Sequence, residues 1–418
     1  MIGRERSVSG LSAADPIAAP APTRAAADRR VLLVLCLAMF MAVVNFQALS
    51  PFLPAVARDL KTSVALLGQV TTTLMILSAL LGLVIGPIAD RFGHRRLMVG
   101  GFLAIAVNLF ATSVVPSFPA LLGLSLISGA GDAVLFGLPL AIAGSYFTGV
   151  ARRWAIGWTA ASLPLGMVIG VPVVTAAGSL IGWRGVVAAL GVVTLGAAAL
   201  ARLWLPRQSS PAPRPARRWS FLSDYRTLLD DRGLRSLYAM SGLRGVCWIG
   251  VVTYLGAFLA DDRGFSPSGI AVAYMVVGAG EMAGSLATRH LRFVSPRILI
   301  AIATALQAAL VAGIFVLPLD PALTLSGLAP LMFCEAVSFV AVATLLTAET
   351  PGSAATTMIL NGSVINLGSA FGSAIGGVLL AIGGYAALGL GLTLFGVTAS
   401  VVALLSARRH TASHSLAP

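Results

Sequence analysis

The sequence has 418 residues, of which 57% are hydrophobic and 10% are charged. Because about a quarter of the residues of a soluble protein are charged, this composition excludes a water-soluble globular protein and predicts a polytopic membrane protein. The formal net charge of +13 does not indicate a nucleic-acid-binding protein, since the basic residues fall between apolar runs, where membrane proteins place their cytoplasmic loops.

The first 30 residues are rich in Ala, Pro, Ser and Arg and have no periodic pattern. Such a segment cannot bury enough apolar surface to fold, so residues 1–30 are predicted to be a disordered cytoplasmic tail. The apolar run that follows has the length of a membrane span, and no small-residue cleavage site comes after it. We therefore interpret it as a span rather than a signal peptide.

Twelve apolar runs follow one another along the chain, each long enough to cross a bilayer as a helix of about 20 residues. They are continuous and lack the alternation of membrane β-strands, so we predict an all-α membrane protein. We number them spans 1 to 12, and they cover residues 31–50, 64–88, 97–115, 120–147, 154–177, 185–205, 237–260, 268–288, 296–316, 323–348, 354–382 and 386–406.

The basic residues predict how the spans are oriented. If both termini are cytoplasmic, 23 of the 28 Lys and Arg residues lie on the cytoplasmic side, four on the other side and one inside a span. The positive-inside rule favours this arrangement. We expect a multi-pass protein of the inner (plasma) membrane with both termini in the cytoplasm.

A hydrophilic stretch rich in Pro, Arg and Ser, residues 206–236, divides the chain into two six-helix bundles at 31–205 and 237–406, before a short cytoplasmic tail at 407–418. The two halves also contain similar motifs. Residues 86–91 align with 284–289, 198 positions later, and Gly166, Gly170 and Gly182 align with Gly368, Gly372 and Gly384, 202 positions later. Nearly equal offsets predict an internal duplication, as in many secondary transporters.

Residues 86–97, GPIADRFGHRRL, lie between spans 2 and 3. In the simplest interpretation they form an ordinary basic cytoplasmic turn, in which Gly86 allows close helix packing and Gly93 a sharp bend. The run also resembles the signature of the major facilitator superfamily, Gly-x-Leu-Ala-Asp-Arg-x-Gly-Arg-Lys. Ile88 replaces the leucine and His94 replaces an arginine.

With the twelve spans and the basic central loop, this resemblance extends over residues 31–406 and implies the superfamily fold of two pseudo-repeated six-helix bundles. In that family the signature aspartate forms cytoplasmic charge contacts that latch the halves in the outward-facing state. The resemblance implies a conformational latch, with Arg152 or Arg153 after span 4 as a partner. The latch residues would be Gly86, Asp90, Arg91, Gly93, Arg95 and Arg96.

Span 5 contains Gly166, Gly170 and Pro172, and Gly-Trp-Arg follows at 182–184. The glycines form a smooth face for close packing, and the proline can bend the helix. A general packing face is one interpretation. The run is also similar to the helix 5 motif of proton-driven drug antiporters, in the arabinose-efflux-permease-like branch. It lacks their usual Gly-Pro pair, and Ser125 stands where their helix 4 motif has an arginine.

Four charged residues lie well inside the spans, and each costs about 2.5–3.5 kcal/mol near the bilayer centre. They are Asp132, Arg244, Glu281 and Glu335, in spans 4, 7, 8 and 10. In the superfamily, spans 1, 4, 7 and 10 line a central cavity. The resemblance therefore implies a substrate and proton-coupling cavity that contains Asn45, Gln47, Asp132, Arg244, Trp248 and Glu335. Alternatively, Asp132 forms a structural hydrogen bond, and Arg244 forms a structural ion pair with Glu281.

The sequence favours a secondary transporter. It contains no Gly-x-x-x-x-Gly-Lys-Ser/Thr phosphate loop and a single lysine, Lys61, so an ATP-driven pump is disfavoured. Without a nucleophile motif or a cluster of catalytic residues, an enzyme is also disfavoured, and the duplicated halves argue against a passive channel.

We expect proton-coupled efflux of a small amphipathic drug or metabolite by alternating access. The alternative is a carrier of the same fold for a specific sugar, organic acid or amino acid. We expect a monomer in the lipid bilayer, driven by the proton gradient and without a cofactor, metal or nucleic acid.

Overall fold

The computed structural model describes residues 22–206, 221–291, 293–350 and 354–415, and within these ranges it contains helices and no β-strand. Ten helical segments in the described ranges are long and apolar enough to cross a membrane. Two of them, Gly149–Trp204 and Thr356–Arg408, have 56 and 53 residues, more than twice the length that a bilayer requires. Glycines with a positive φ break both, Gly182 at 68° and Gly384 at 66°. Dividing these two segments gives the twelve spans, so the predicted all-α fold is confirmed.

The observed helices correspond to the spans in chain order. They are Pro22–Phe46 (span 1), Val64–Gly82 with Ile85–Phe92 (span 2), His94–Ser113 (span 3), Phe118–Tyr146 (span 4), Gly149–Leu165 (span 5), Val171–Trp204 (the rest of span 5, then span 6 after Gly182), Arg232–Ala257 (span 7), Pro267–Ala287 (span 8), Pro296–Val316 (span 9), Pro321–Glu349 (span 10) and Ala354–Ser415 (spans 11 and 12).

Successive spans run in opposite directions, so their connections lie alternately at two ends of the molecule. We call the end with the chain termini the terminal end and the other the distal end. At the distal end Arg184 donates hydrogen bonds to the carbonyl oxygens of Ser113 at 3.1 Å and Val115 at 3.0 Å, and Arg263 donates to that of Leu319 at 3.1 Å. Within each half, one arginine thus holds two distal connections together.

The two halves contact each other at the distal end through Ser50, which follows span 1. Its hydroxyl donates to the carbonyl oxygen of Val252 in span 7 at 2.9 Å and lies 2.7 Å from the hydroxyl of Tyr274 in span 8. Gly256 allows this approach, because a Cβ there would collide with the backbone of Ser50 and Pro51. These contacts close the distal end between the halves.

Spans 2 and 11 form a second contact between the halves. The Ser373 hydroxyl donates to the carbonyl oxygen of Gly68 at 2.7 Å, and the Ser363 hydroxyl donates to that of Ala79 at 2.9 Å. These two bonds lie about three helical turns apart. The halves therefore stay in contact over much of the length of these two spans.

The glycines of span 5 lie against span 1. A Cβ at Gly170 would collide with Val44 of span 1, and one at Gly166 would lie in tight contact with Val43, 3.0 Å from its Cβ. Residues Gly166–Gly170 form a single π-helical turn, in which the Val171 N–H donates to the carbonyl oxygen of Gly166. Pro172 explains this turn, since it has no N–H and its ring needs room that a regular α-turn does not leave.

The signature run differs from the predicted turn. Residues Ile85–Phe92 form a helix that is separated from the rest of span 2 by a break at Leu83 and Val84. Gly93, at a φ of 86°, makes the sharp bend before span 3 begins at His94. Most of the run is therefore helical. The helix ends only at Gly93, which adopts a positive φ that residues with a Cβ rarely adopt.

Several boundaries also differ from the predicted ones. Span 1 begins at Pro22, so residues 22–30 are helical, while residues 1–21 of the predicted tail lie outside the described ranges. The predicted linker includes a helix, Phe221–Asp230, whose buried Tyr225 and Leu228 belong to one apolar cluster with span 7. The last helix continues to Ser415 instead of ending near residue 406.

Candidate functional site

The first polar cluster joins spans 1 and 4 in the first half. The side-chain amide of Asn45 donates to Oδ1 of Asp132 at 3.2 Å and to Oγ of Ser128 at 3.0 Å. Ser128 and Asp132 lie one helical turn apart, so they share a face of span 4. Asp132 is 0% exposed and Asn45 is 7% exposed, so the cluster is buried inside the first bundle.

Glycines on either side of Asp132 explain why it is completely buried. A Cβ at Gly129 would collide with the backbone of Leu74 in span 2, and one at Gly131 would collide with Ile105 in span 3. Small residues let neighbouring helices approach closely. Spans 2 and 3 therefore pack tightly around the turn of span 4 that carries the carboxyl group.

Asp132 has only neutral neighbours in the described part of the chain. None of the ion pairs there includes it, and its Oδ2 atom has no hydrogen-bond partner. A buried carboxylate without a cation costs several kcal/mol. The arrangement favours the neutral acid in this conformation, and a negative charge would need water to reach the free Oδ2 atom.

The second polar cluster joins spans 7, 9 and 10 in the second half. Nη2 of Arg244 lies 2.7 Å from Oε1 of Glu335, and Nε2 of Gln307 donates to Oε2 of Glu335 at 3.0 Å. The guanidinium also lies over the ring of Phe339, 5.0 Å from its centroid. Both charged side chains are buried, so the second half contains a buried and paired charge.

The predicted alternative of an ion pair between Arg244 and Glu281 is wrong, because Arg244 pairs with Glu335. Glu281 is half-buried in span 8, close enough for the charges of both residues to act on it. The more deeply buried carboxylate has less access to water and gains most from direct contact with the cation. Glu335 therefore holds the arginine.

A small cavity of about 60 Å³ lies beside the first cluster, on its distal side. Of the six residues predicted to line one central cavity, two do so, Asn45 and Gln47. Small-molecule sites usually have about 300–1,000 Å³, so this cavity has room for water but not for a drug-sized molecule. Within the described ranges, no group of three or more His, Cys, Asp or Glu side chains is placed to hold a metal ion.

The six predicted cavity residues do not meet in one place. Gln47 contacts the sulfur of Met167 in span 5 at 3.9 Å. Trp248 is partly buried one turn beyond Arg244, and its Nε1 has no hydrogen-bond partner in the described part of the chain. The six residues therefore belong to two separate sites, one in each half.

The two clusters are related by the internal duplication. Asn45 and Arg244 are 199 positions apart, as are Asn108 and Gln307, and Asp132 and Glu335 are 203 positions apart. These offsets lie within one residue of those of the two duplicated motifs, 198 and 202. Once the bond between Asn45 and Asp132 is known from the structure, the same offsets lead to Glu335 as the partner of Arg244 and to Gln307 as a candidate member of its cluster. Sequence reasoning missed both, because it had no such bond to start from.

The latch remains a prediction. Asp90 lies in the helix Ile85–Phe92, but its side chain is outside the part of the chain that the structure describes. Arg91 is exposed and lies over the ring of Phe92 at 5.5 Å. Arg152 and Arg153 are exposed as well. The described side chains thus leave the proposed charge contacts untested.

Comparison with known sequences places these sites in a family context. The sequence model of the Major Facilitator Superfamily matches residues 35–364. Over 140 residues the chain is 26% identical to the riboflavin transporter RibZ of Clostridioides difficile. The matched region is 34% of the chain and 31% of that protein. Over 210 residues it is 29% identical to the multidrug efflux pump LfrA of Mycolicibacterium smegmatis, and this matched region is 50% of the chain and 41% of that protein.

The chain thus matches less than half the length of either of these curated relatives. Among solved structures, a bacterial homologue of the human lysosomal transporter Spinster, in an inward-facing and occupied conformation, superimposes with a TM-score of 0.73 at 19% identity. That match covers 93% of the chain and 98% of the solved structure. At this level of identity, the likeness concerns the fold.

Proposed function

The chain belongs to the major facilitator superfamily of membrane transporters, and from this premise we propose that it is a proton-coupled antiporter that exports a small amphipathic drug or metabolite by alternating access. The partial similarity to a multidrug efflux pump supports export. The buried polar clusters of the two halves provide candidate sites for the proton and the transported compound.

One observation carries the proposal. Asp132 is a completely buried carboxyl group whose nearest polar neighbours, Asn45 and Ser128, are both neutral. It is stable there as the neutral acid and must meet water to ionise. A group that holds a proton in one conformation and releases it in another can couple proton movement to the conformational cycle.

The proton gradient supplies enough energy for export. One elementary charge that moves through 100 mV releases about 2.3 kcal/mol, and each unit of pH difference adds about 1.4 kcal/mol. In this scheme Asp132 takes up a proton from the outside and releases it to the cytoplasm. The exported compound moves in the opposite direction during the same cycle.

A second candidate is a carrier for one specific metabolite with an anionic group. The observation that favours it is Arg244, a buried cation beside the partly buried Trp248 and the ring of Phe339. A carboxylate or phosphate could replace Glu335 on the guanidinium, and the aromatic rings could contact the rest of the molecule. The partial similarity to a riboflavin transporter agrees with a specific metabolite.

An export screen followed by a flux assay distinguishes the two candidate functions. The chain is expressed in a bacterial host without its own drug pumps, which is tested against toxic cations, neutral drugs and organic acids. Everted vesicles are then acidified inside, and proton release on addition of each active compound is followed with a pH-gradient dye. Proton release driven by several unrelated compounds supports the antiporter, whereas a response to one anionic metabolite supports the specific carrier.

The variant Asp132→Asn tests the coupling residue, because an amide keeps the shape and cannot carry the proton. The matched control is Asp230→Asn, in which the same change is made at an exposed carboxylate of the helix Phe221–Asp230. Compound-driven proton release should disappear in Asp132→Asn at normal expression and persist in the control. Normal proton release in Asp132→Asn contradicts the proposed mechanism.

A further inference from the structure

The cavity of about 60 Å³ has a lining that neither apolar packing nor substrate binding explains. It lies between spans 1, 2, 3 and 4 and reaches the distal contact between the halves. Hydroxyl and amide side chains make up about half of its lining: Asn45, Gln47, Ser50, Thr71, Asn108, Thr112, Ser125, Ser128 and Thr253.

Three of these polar side chains are buried without a protein partner. The Thr253 hydroxyl has no hydrogen-bond partner in the described ranges. The side chains of Asn108 and Thr112 likewise make no hydrogen bond there, and the three residues are 5%, 8% and 3% exposed, respectively. Nearly all buried polar groups in proteins bind either another protein group or an ordered water molecule. Polar groups that face a shared cavity are therefore expected to bind water.

The size of the cavity is sufficient for this purpose. A buried water molecule occupies about 15–30 Å³, so the cavity can hold about two to four. Each water could bind two or more of the polar groups around it, as buried waters do. An apolar cavity of the same size would stay dry, but this one has polar groups on several sides.

The cavity also contacts Asn45, the hydrogen-bonded neighbour of Asp132, and Ser128, the second side chain to which Asn45 donates. Asn45 and Ser128 line it, and Asn45 donates to Ser128 Oγ at 3.0 Å and to Asp132 Oδ1 at 3.2 Å. Ser128 lies one turn before Asp132 on the same face of span 4. Its hydroxyl can accept a proton from water and pass another on, which a methyl group could not do.

We infer that this cavity holds a water cluster that relays protons between the distal end and Asp132 through the Ser128 hydroxyl, while the contact between Ser50 and Tyr274 keeps the distal end closed to solutes. In each transfer one O–H bond breaks and one forms, and the net result is one proton added to the Asp132 carboxylate. The relay gives the proton a route that is separate from the route of the exported compound. The inference rests on the proposed role of Asp132 as the proton carrier.

The rate at which Asp132 takes up a proton tests the relay without any substrate. The purified full chain in nanodiscs is subjected to a rapid drop in pH, and the carboxylic-acid C=O band is followed by infrared spectroscopy. Asp132→Asn identifies the band. Thr112→Val and Asn108→Leu remove polar groups of the relay, and each should slow protonation about tenfold, the effect of one lost hydrogen bond.

The matched control is Thr194→Val, since Thr194 is equally buried in span 6 but does not line the cavity. It bonds instead to the carbonyl oxygen of Leu190 at 2.7 Å. Protonation in this control should keep the rate of the unaltered chain. Equal rates in Thr112→Val, Asn108→Leu and the unaltered chain overturn the relay.

A second measurement uses the unaltered chain, so it does not depend on whether the variants fold. Brief radiolysis in ¹⁸O-labelled water marks side chains that lie beside ordered water. Label is expected on Leu67, Leu74 or Leu121, which are buried yet line the cavity. Unlabelled leucines at all three positions contradict the water cluster. Labelled leucines together with transport that ignores the proton gradient contradict the proposed function and leave the water cluster in place.

Discussion

Asp132 and Glu335 occupy equivalent positions in the two halves, 203 positions apart, but only Glu335 contacts a cation. In the first half the partner from the first helix is the neutral Asn45, and in the second half it is Arg244. A neighbouring arginine favours the ionised form of a carboxylate, whereas a neutral amide provides no such charge. The duplication has thus produced two related sites with different chemistry, and the first is the one that we propose for proton coupling.

The buried ion pair of the second half gives a prediction about stability. Replacing Arg244 with glutamine leaves Glu335 buried without a cation, which should lower the free energy of unfolding by about 3–5 kcal/mol. The double replacement Arg244→Met with Glu335→Leu removes both charges and should recover most of that loss, because apolar pairs of similar volume often replace buried ion pairs without cost. Thermal unfolding in detergent measures all three proteins.

The control for this cycle is Arg226→Gln, since Arg226 forms an ion pair with Asp230 at 3.9 Å on the exposed surface. Such pairs contribute about 0–1 kcal/mol, so this variant should unfold near the temperature of the unaltered chain. Losses of equal size for Arg244→Gln and the double variant would show that the pair is not what stabilises the second half.

The sequence predicted the twelve spans because a helix in a bilayer places nearly all its apolar side chains against lipid or protein. Such a helix requires only an apolar run of sufficient length, which can be read directly from the residues. It could not predict the partner of Arg244, because Glu281 and Glu335 lie on different neighbouring helices and the choice depends on how each helix is rotated about its axis. The cavity beside Asn45 escaped prediction for the same reason, since side chains from six spans contribute to it.

The close contact between spans 1 and 5 predicts a steric effect at Gly170. A methyl group there would collide with Val44 and Phe40, so Gly170→Ala should destabilise the chain by about 1–3 kcal/mol through overpacking. Gly157 lies on the same helical segment with open space around it. Gly157→Ala should be neutral or slightly stabilising, since alanine is the better helix former.

Thermal unfolding of the two alanine variants provides the comparison. A lower unfolding temperature for Gly170→Ala alone is the expected outcome. If Gly157→Ala is equally destabilised, the prediction from packing against span 1 is contradicted. The glycines would then contribute flexibility to span 5 instead.

Gly182 and Gly384 predict a matched pair of backbone effects. They are 202 positions apart and have nearly the same positive φ, 68° and 66°, at the distal breaks between spans 5 and 6 and between spans 11 and 12. Their ψ values, 166° and −162°, place both in a region that is essentially restricted to glycine and costs other residues about 1–3 kcal/mol, so alanine at either position should lower stability by that amount. Gly123→Ala, in span 4 and without a nearby atom, is the control in the same unfolding assay.

The Gly182 and Gly384 effects should also be equal within error and additive in the double variant, since the two sites lie in different halves. If only one of the two alanine variants is less stable, other contacts stabilise the second break. The two turns would then be equivalent in structure but not in their contribution to stability. The aligned glycines in the sequence predicted this equivalence, because few other residues tolerate a positive φ.

The predicted latch at the terminal end gives the last expectation, which concerns kinetics. Asp90→Ala should slow the conformational cycle and leave the affinity for the exported compound unchanged, because the helix Ile85–Phe92 ends at the terminal end, away from both buried clusters. The rate and the half-saturating concentration of compound counterflow in proteoliposomes measure the two quantities separately. Asp230→Ala removes an exposed carboxylate on the helix between the halves, and it should change neither. A large loss of affinity in Asp90→Ala, at an unchanged maximal rate, would place Asp90 in the binding of the compound and contradict the latch.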